Sequence, residues 1–168
     1  MTCKRGWMKR LVIDGHNLIP KIPGFRLEDP DDEMKLIEKM TEYCRLTRSQ
    51  AELFFDGAPA GSPFQSKSGL VHIHYVRKSL TADDAILQFL QRRGNETRTT
   101  LVVSSDHRVI AGAKALHAAT ILSEEFARRL IETISNPGIS DSQRERPPSE
   151  EEVEEMLKLM TGKRKDTP

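Results

Sequence analysis

The spacing of apolar and polar positions changes along the chain, and each change marks an element. Leu11, Val12 and Ile13 form a short wholly apolar run that stops on Asp14, the pattern of a buried strand. Beyond a loop holding Pro20, Pro23 and Gly24, helical spacing covers residues 30 to 48. Asp29 is placed to cap it and Pro30 to open it, over a stripe of Met34, Ile37, Met40 and Tyr43 or Cys44. "AELFFDG" and "LVHIHYV" read as the second and third strands, and the Gly, Pro and Ser of "GAPAGSPFQSKSG" predict a surface loop between them. "TADDAILQFLQRRG" has the form of a helix capped by Thr81, with Asp84 as capping-box partner and Gly94 as stop. "TTLVVSSD" is a fourth strand ending in Asp, "HRVIAGAKALHA" a helix, "TIL" a short fifth strand and "SEEFARRLIETI" a helix capped by Ser123. The closing "SEEEVEEMLKLMTG" is amphipathic through Val153, Met156, Leu157 and Met160. Strands alternating with helices predict an α/β domain with a mostly parallel sheet of about five strands.

Composition narrows this picture without redirecting it. A length of 168 residues, 37% of them hydrophobic, suits one domain with a substantial core. Residues 1–8 are expected to be a disordered extension, 9–139 the domain, and 140–168 a linker with a terminal helix. Cys3 and Cys44 have no metal-ligand spacing and are too few for a disulfide framework, as expected of free thiols in a reducing cytoplasm. No apolar run approaches the ~20 residues of a membrane helix, and no membrane partner is expected. The overall charge of +1 favours neither nucleic acid nor membrane. Its distribution is uneven: residues 1–139 carry a net +3 and the remainder −2.

The charges at the strand ends carry the chemistry. Ligands of an open parallel sheet bind beyond the carboxyl ends of its strands. Asp14, Asp56 and Asp106 stand at such ends, and Asp83 and Asp84 open the helix that follows the third strand. Carboxylates crowded at one rim raise one another's pKa unless a cation offsets them. Mg²⁺ or Mn²⁺ suits oxygen donors and leaves room for water and a substrate phosphate. Phosphodiester hydrolysis is the reaction that such a centre favours, through an activated water and charge stabilisation at phosphorus.

"LVIDGHNLI", "LFFDG", "SLTADDAI" and "VVSSDHRV", in this order and spacing, resemble the NYN branch of the PIN-like ribonucleases, and most closely its YacP-like family. The resemblance runs from about Lys9 to Ile134, and the terminal helix has a counterpart in that family. It implies a three-layer α/β/α sandwich and a metal-dependent endoribonuclease. The family's acidic positions fall on Asp14, Asp83, Asp84 and Asp106, with Asn17 as a polar auxiliary. Asp14, Asp83 and Asp106 are the implied metal ligands, and Mg²⁺ or Mn²⁺ the implied cofactor. Relatives often carry Tyr where His16 stands. They also imply an RNA partner, messenger RNA on the ribosome.

Each of these residues also has a local role to weigh. Asp14 can end a strand, Asp106 can cap the next helix, and acids after Thr81 complement a helix dipole. Asp84 stands open between ligand, supporting group and cap; Asp56 and Asn17 suit turns. His72 and His74 share a strand face, but without a matching Cys or Glu they do not make a zinc site. For RNA contacts the candidates are Lys67, Arg77, Lys78 and Arg108, in or near loops at the acidic rim, together with His16. Phe64 is placed to stack on an unpaired base or to plug the loop onto the core.

Two other classes compete with the nuclease. A non-catalytic RNA-binding or ribosome-associated adaptor has little use for unpaired carboxylates. An aspartyl-phosphate enzyme built on Asp14 wants an acid two residues later, where His16 stands, or a buried Lys at a late strand end, which "TILSEE" lacks.

Overall fold

The computed structural model describes residues 9–57, 63–77, 79–138 and 150–161. Two compact units divide at residues 137 and 138. The first holds strands β1 (Arg10–Asp14), β2 (Gln50–Asp56), β3 (Gln65–Ser68), β4 (Val71–Val76), β5 (Thr100–Val103) and β6 (Ala119–Ile121). Its helices are α1 (Gly15–Leu18), α2 (Asp32–Thr47), α3 (Ala82–Arg93), α4 (His107–Ala115) and α5 (Ser123–Ser135). The second contains α6 (Glu150–Thr161). The expected N-terminal extension and most of the expected linker lie outside the described residues. No described helix is long and apolar enough to cross a membrane.

The sheet has six strands in the order β3-β4-β2-β1-β5-β6, parallel except where β3 meets β4. Its central strands are apolar on both faces because helices cover both. Leu11, Ile13, Leu53 and Phe55 pack with Leu36 and Met40 of α2 and Phe126 and Leu130 of α5. Val12, Phe54 and Val102 pack with Ile86 and Leu90 of α3 and Val109 and Ala113 of α4. The result is the α/β/α sandwich. Cys44 lies inside the α2 layer, where burial pushes its thiol up to about 12, so it acts as packing volume and not as a nucleophile.

Several local expectations are corrected. The sixth strand, β3, comes from the stretch read as loop. Parallel strands need a return path of a dozen or more residues, and β3 supplies it by running back along the edge of β4 before the turn at Gly69 and Leu70. Its residues Gln65, Ser66, Lys67 and Ser68 are polar, which suits an unprotected sheet edge. Helix α2 starts two residues later than expected, with Asp31 at its N-cap, and Met34 is exposed while Leu36 takes its place in the core. Ser123 does not cap α5; Leu122 holds the cap position, and the Ser123 hydroxyl bonds elsewhere.

Gly15 shows why the first strand can turn so sharply. A Cβ there would sit 2.3 Å from Phe55 Cε1 and 3.0 Å from the Phe54 carbonyl oxygen. Side chain and backbone would both have to move. Gly15→Ala is expected to cost about 1–3 kcal/mol, the range for forced overpacking, read as a lower urea midpoint at unchanged m-value.

Candidate active site

The order of the parallel strands reverses direction around β1. From β1 the chain moves outward to β2 and β4, then crosses back to β5 and β6 on the other side. The carboxyl ends of β1 and β5 therefore border the switch point where this class of sheet binds ligands. Asp14 ends β1, and the segment Ser104, Ser105, Asp106 leaves β5. Helix α3 brings Asp83 to the same edge, and Asp56 ends β2 beside Asp14's neighbour Phe54.

Asp14 is 6% exposed and caps α1 by accepting the Asn17 amide. Burial, followed by the charge of Asp83, pushes its carboxyl up to about 7; Asp56 adds to the rise and the Asn17 amide opposes it. Asp83 is raised as well, by burial and then by the Asp106 carboxylate, with a smaller push from Asp56. A hydrogen bond between the two carboxyls raises Asp14 and lowers Asp83. Both carboxyls are thus raised, as for two acids held too close to ionise together.

The surrounding acids have defined partners. Asp106 caps α4, its Oδ1 accepting the amides of Arg108 at 2.8 Å and Val109 at 3.3 Å. Asp56 accepts the Ala82 amide at 2.7 Å, fixing the start of α3, and so the position of Asp83. Asp84 turns away from the pair: it exchanges hydrogen bonds with Thr81 in a capping box and forms an ion pair with Arg108. The Thr81 hydroxyl first, and Arg108 after it, hold the Asp84 carboxyl below its ordinary value. Sequence left the role of Asp84 open; the structure ties it to Arg108.

Asn17 acts as a brace. Its Oδ1 accepts the Ser105 amide at 2.8 Å and the Ser123 hydroxyl at 2.5 Å, which joins the loop after β1 to the loop after β5 and the start of α5. Ser105 Oγ then donates to Glu124 at 2.6 Å, and Lys21 meets Glu124 at 2.9 Å. These two bonds hold the Glu124 carboxyl down at about 2. Ser105 and Glu124 were not singled out from sequence, and Ser123 only as a helix cap. The polar run "SSD" after an apolar strand was their available signal.

His16 Nε2 lies 2.7 Å from Glu33 Oε1, and its ring packs 5.3 Å from that of Phe55. It borders the acidic edge as expected, already engaged by a carboxylate of α2. Arg77 follows β4 at this edge, its guanidinium 5.0 Å over the Phe64 ring. Lys67 departs from expectation. It sits on β3 opposite His72, toward the far end of β4, because β3 runs antiparallel there. Lys78 lies outside the described residues. His72 and His74 both face Glu52, a buried acid at the centre of β2 that the apolar reading of "AELFF" passed over.

All the donors at the carboxyl edge are hard oxygens, the chemistry of Mg²⁺ or Mn²⁺. Among the described residues, no group of three or more His, Cys, Asp or Glu side chains is gathered to hold an ion. What the structure brings together is the Asp14–Asp83 pair, with Asp106 and Asp56 near enough to act on it electrostatically. A cation that keeps several waters needs only one or two direct carboxylates, and the donor set fits it on those terms.

No curated protein matches the chain. A crystal structure of Rae1 (YacP) from Bacillus subtilis is similar at a TM-score of 0.64 and 22% identity, over 93% of this chain and 83% of that one. A single-residue mutant of the same protein gives 0.59 and 21%, over 94% and 87%. At this identity the likeness shows the fold. The sequence profile of the YacP-like NYN domain matches residues 11–164, and the chain belongs to that family of PIN-like nucleases.

Proposed function

We propose that this protein is a divalent-metal-dependent endoribonuclease that hydrolyses phosphodiester bonds within RNA, with messenger RNA on the ribosome as the substrate its family points to. The observation that carries the reading is the Asp14–Asp83 pair, a buried acid and a half-buried one set against each other at the sheet's switch point, each raising or raised by its acidic neighbours. A domain that needed only to bind RNA gains nothing from setting two acids against each other in a partly buried setting, which is unfavourable without a cation.

Asp14, Asp83 and Asp106 would hold the ion, and Mg²⁺ or Mn²⁺ bound there supplies charge neutralisation, orientation of water and polarisation of the phosphate. Asp56 fixes the start of α3 and with it the depth of Asp83. Asp84 holds Arg108 at the rim, where its guanidinium can meet a backbone phosphate. Asn17 keeps the β5 loop, and hence Asp106, against the end of β1. His16, backed by Glu33, closes the edge toward α2.

The runner-up is an RNA-binding or ribosome-associated adaptor with the same fold. The observation in its favour is that no three donors are already drawn together. The two readings separate in a cleavage assay on single-stranded and ribosome-bound RNA with Mg²⁺, Mn²⁺ or EDTA. The nuclease is expected to cut only with metal, and Asp83→Asn to cut about a hundredfold more slowly or less. Binding without cutting under every condition selects the adaptor; cutting in EDTA, or a fully active Asp83→Asn, removes the metal site.

A further inference from the structure

Beside the acidic edge, on the α3 side of the sheet, lies a cavity of about 920 Å³ that none of the acids above lines. This is within the range of ligand sites, ~300–1,000 Å³. Its floor is aromatic. Phe54 stacks on His74 with centroids 4.6 Å apart and planes at 12°, and Phe89 meets Phe54 edge-on at 5.7 Å. Glu52 holds His74 Nε2 at 2.6 Å, so the imidazole stays flat on the ring beneath it. Phe64, 48% exposed, stands at the wall.

Three arginines line the same space, Arg77, Arg92 and Arg93, and no acidic residue does so among the described residues. Arg93 is committed to Glu96 and lies over the Phe89 ring. Arg77 rests on Phe64, and neither it nor Arg92 has a carboxylate partner among the described residues. An exposed ring, Phe64, and the half-buried His74 and Phe89 beside unneutralised guanidinium groups are the two parts of a single-stranded nucleic-acid site: stacking for a base, charge for its phosphate.

The place of the cavity argues for the same occupant. Val76 pairs with Asp56 in the β2–β4 register, and Arg77 follows it directly. The Arg77 end of the lining thus stands at the carboxyl edge, two strands from β1, or about 10 Å at ordinary strand spacing, while Arg92 and Arg93 line it from the last turn of α3.

We propose that the cavity between α3 and the β3–β4 edge is a subsite for one unpaired nucleotide of the RNA, its base against Phe64 and the aromatic floor and the phosphates on either side of it on Arg77 and Arg92. The proposal deepens the endoribonuclease reading and rests on it for the identity of the strand. It assigns to this chain a preference for unpaired RNA beside the cleaved bond, because a paired base cannot enter a pocket.

The test is fluorescence anisotropy of the full chain with labelled hexauridylate in EDTA, so that binding is read without cleavage. The variants are Phe64→Ala, Arg77→Ala and Arg92→Ala, all at exposed positions. Phe64→Ala is expected to weaken binding roughly tenfold, and an oligomer with abasic positions to show no such loss. Arg77→Ala and Arg92→Ala are each expected to lower the salt slope by about 0.7, one phosphate contact on a single strand. Variants that bind like wild type at every salt concentration overturn the subsite. If the wild type cuts RNA with metal while these variants keep both affinity and KM, the subsite falls and the nuclease stands. If the variants lose affinity but no metal supports cutting, the subsite stands and the nuclease falls. No binding of hexauridylate by the wild type overturns the subsite directly, whatever the cleavage assay shows.

Discussion

Asp14→Asn is expected to lose RNA cleavage by about a hundredfold or more and, in EDTA above pH 7, to be more stable than the wild type. The two effects have one origin. Folding raises the Asp14 carboxyl from 3.8 to about 7, so the folded state binds a proton that the unfolded chain has released. Stability from this group is complete below pH 4 and is lost as pH rises from about 4 through about 7. A shift of that size corresponds to at most ~4 kcal/mol, and because it belongs to the pair with Asp83, about 2 kcal/mol is taken for Asp14. Asn keeps the shape and the donor to Asp83 without the ionisation. In metal-free buffer at pH 8 the variant should gain about 2 kcal/mol, or about 4–8 °C in Tm for a domain of this size. Added Mn²⁺ should raise the Tm of the wild type more than that of the variant, since an ion that binds only the folded state stabilises it by mass action. A wild type that is equally stable from pH 4 to pH 8 in EDTA, or a variant that still cuts RNA, contradicts the pairing of Asp14 with Asp83.

The second large effect is expected inside the sheet, away from the reaction. Glu52 is 2% exposed, with Arg10 at 2.7 Å, His74 at 2.6 Å, His72 at 3.4 Å and Arg93 at 3.9 Å. Burial works to raise its carboxyl, and the His74 hydrogen bond with the charges of His72, His74 and Arg10 overcomes that and holds it low. Glu52→Ala leaves Arg10 and His74 without their acid in a half-buried setting. The expected loss is about 3–5 kcal/mol, the range for breaking a buried ionic network from one side, measured as a drop in urea midpoint at pH 7. Replacing Glu52 and His74 together by Leu should recover part of it, because the His74 partner goes with its acid, apolar volume remains and Arg10 keeps its bond to Gln50. A loss under about 1 kcal/mol for the single variant means that water already reaches the network. The same substitution frees the His74 ring from its orienting acid, so it is also expected to weaken hexauridylate binding at the neighbouring cavity.

Much of this molecule was legible in the residue pattern, and the reasons are local. The runs around Val12, Phe54 and Val102 are apolar at successive positions because both faces of their strands are covered, and such runs are visible without coordinates. Thr81 and Asp84 form their capping box, and Asp106 caps α4, because caps act over three residues. The acids at strand ends could be listed as candidates for the same reason: an apolar run that halts on Asp is a local event. The role of Asp84 was not legible, since its partner Arg108 is 24 positions away.

The chain order alone determined the layered α/β fold, its family, and which edge of the sheet carries the acids. Tertiary structure decided how those acids meet. It set Asp14 against Asp83 so that both carboxyls are raised, spent Asn17 on bracing two loops, and gave Asp56 to the start of α3. It made Gly15 obligatory through the ring of Phe55, turned "QSKS" into an edge strand, and buried Glu52 among bases drawn from two other strands and a helix. The physical reason is range. Periodicity and caps are settled by neighbours within a few positions, whereas the ionisation of a carboxyl and the fit of a side chain depend on groups that only the folded chain brings within a few ångströms.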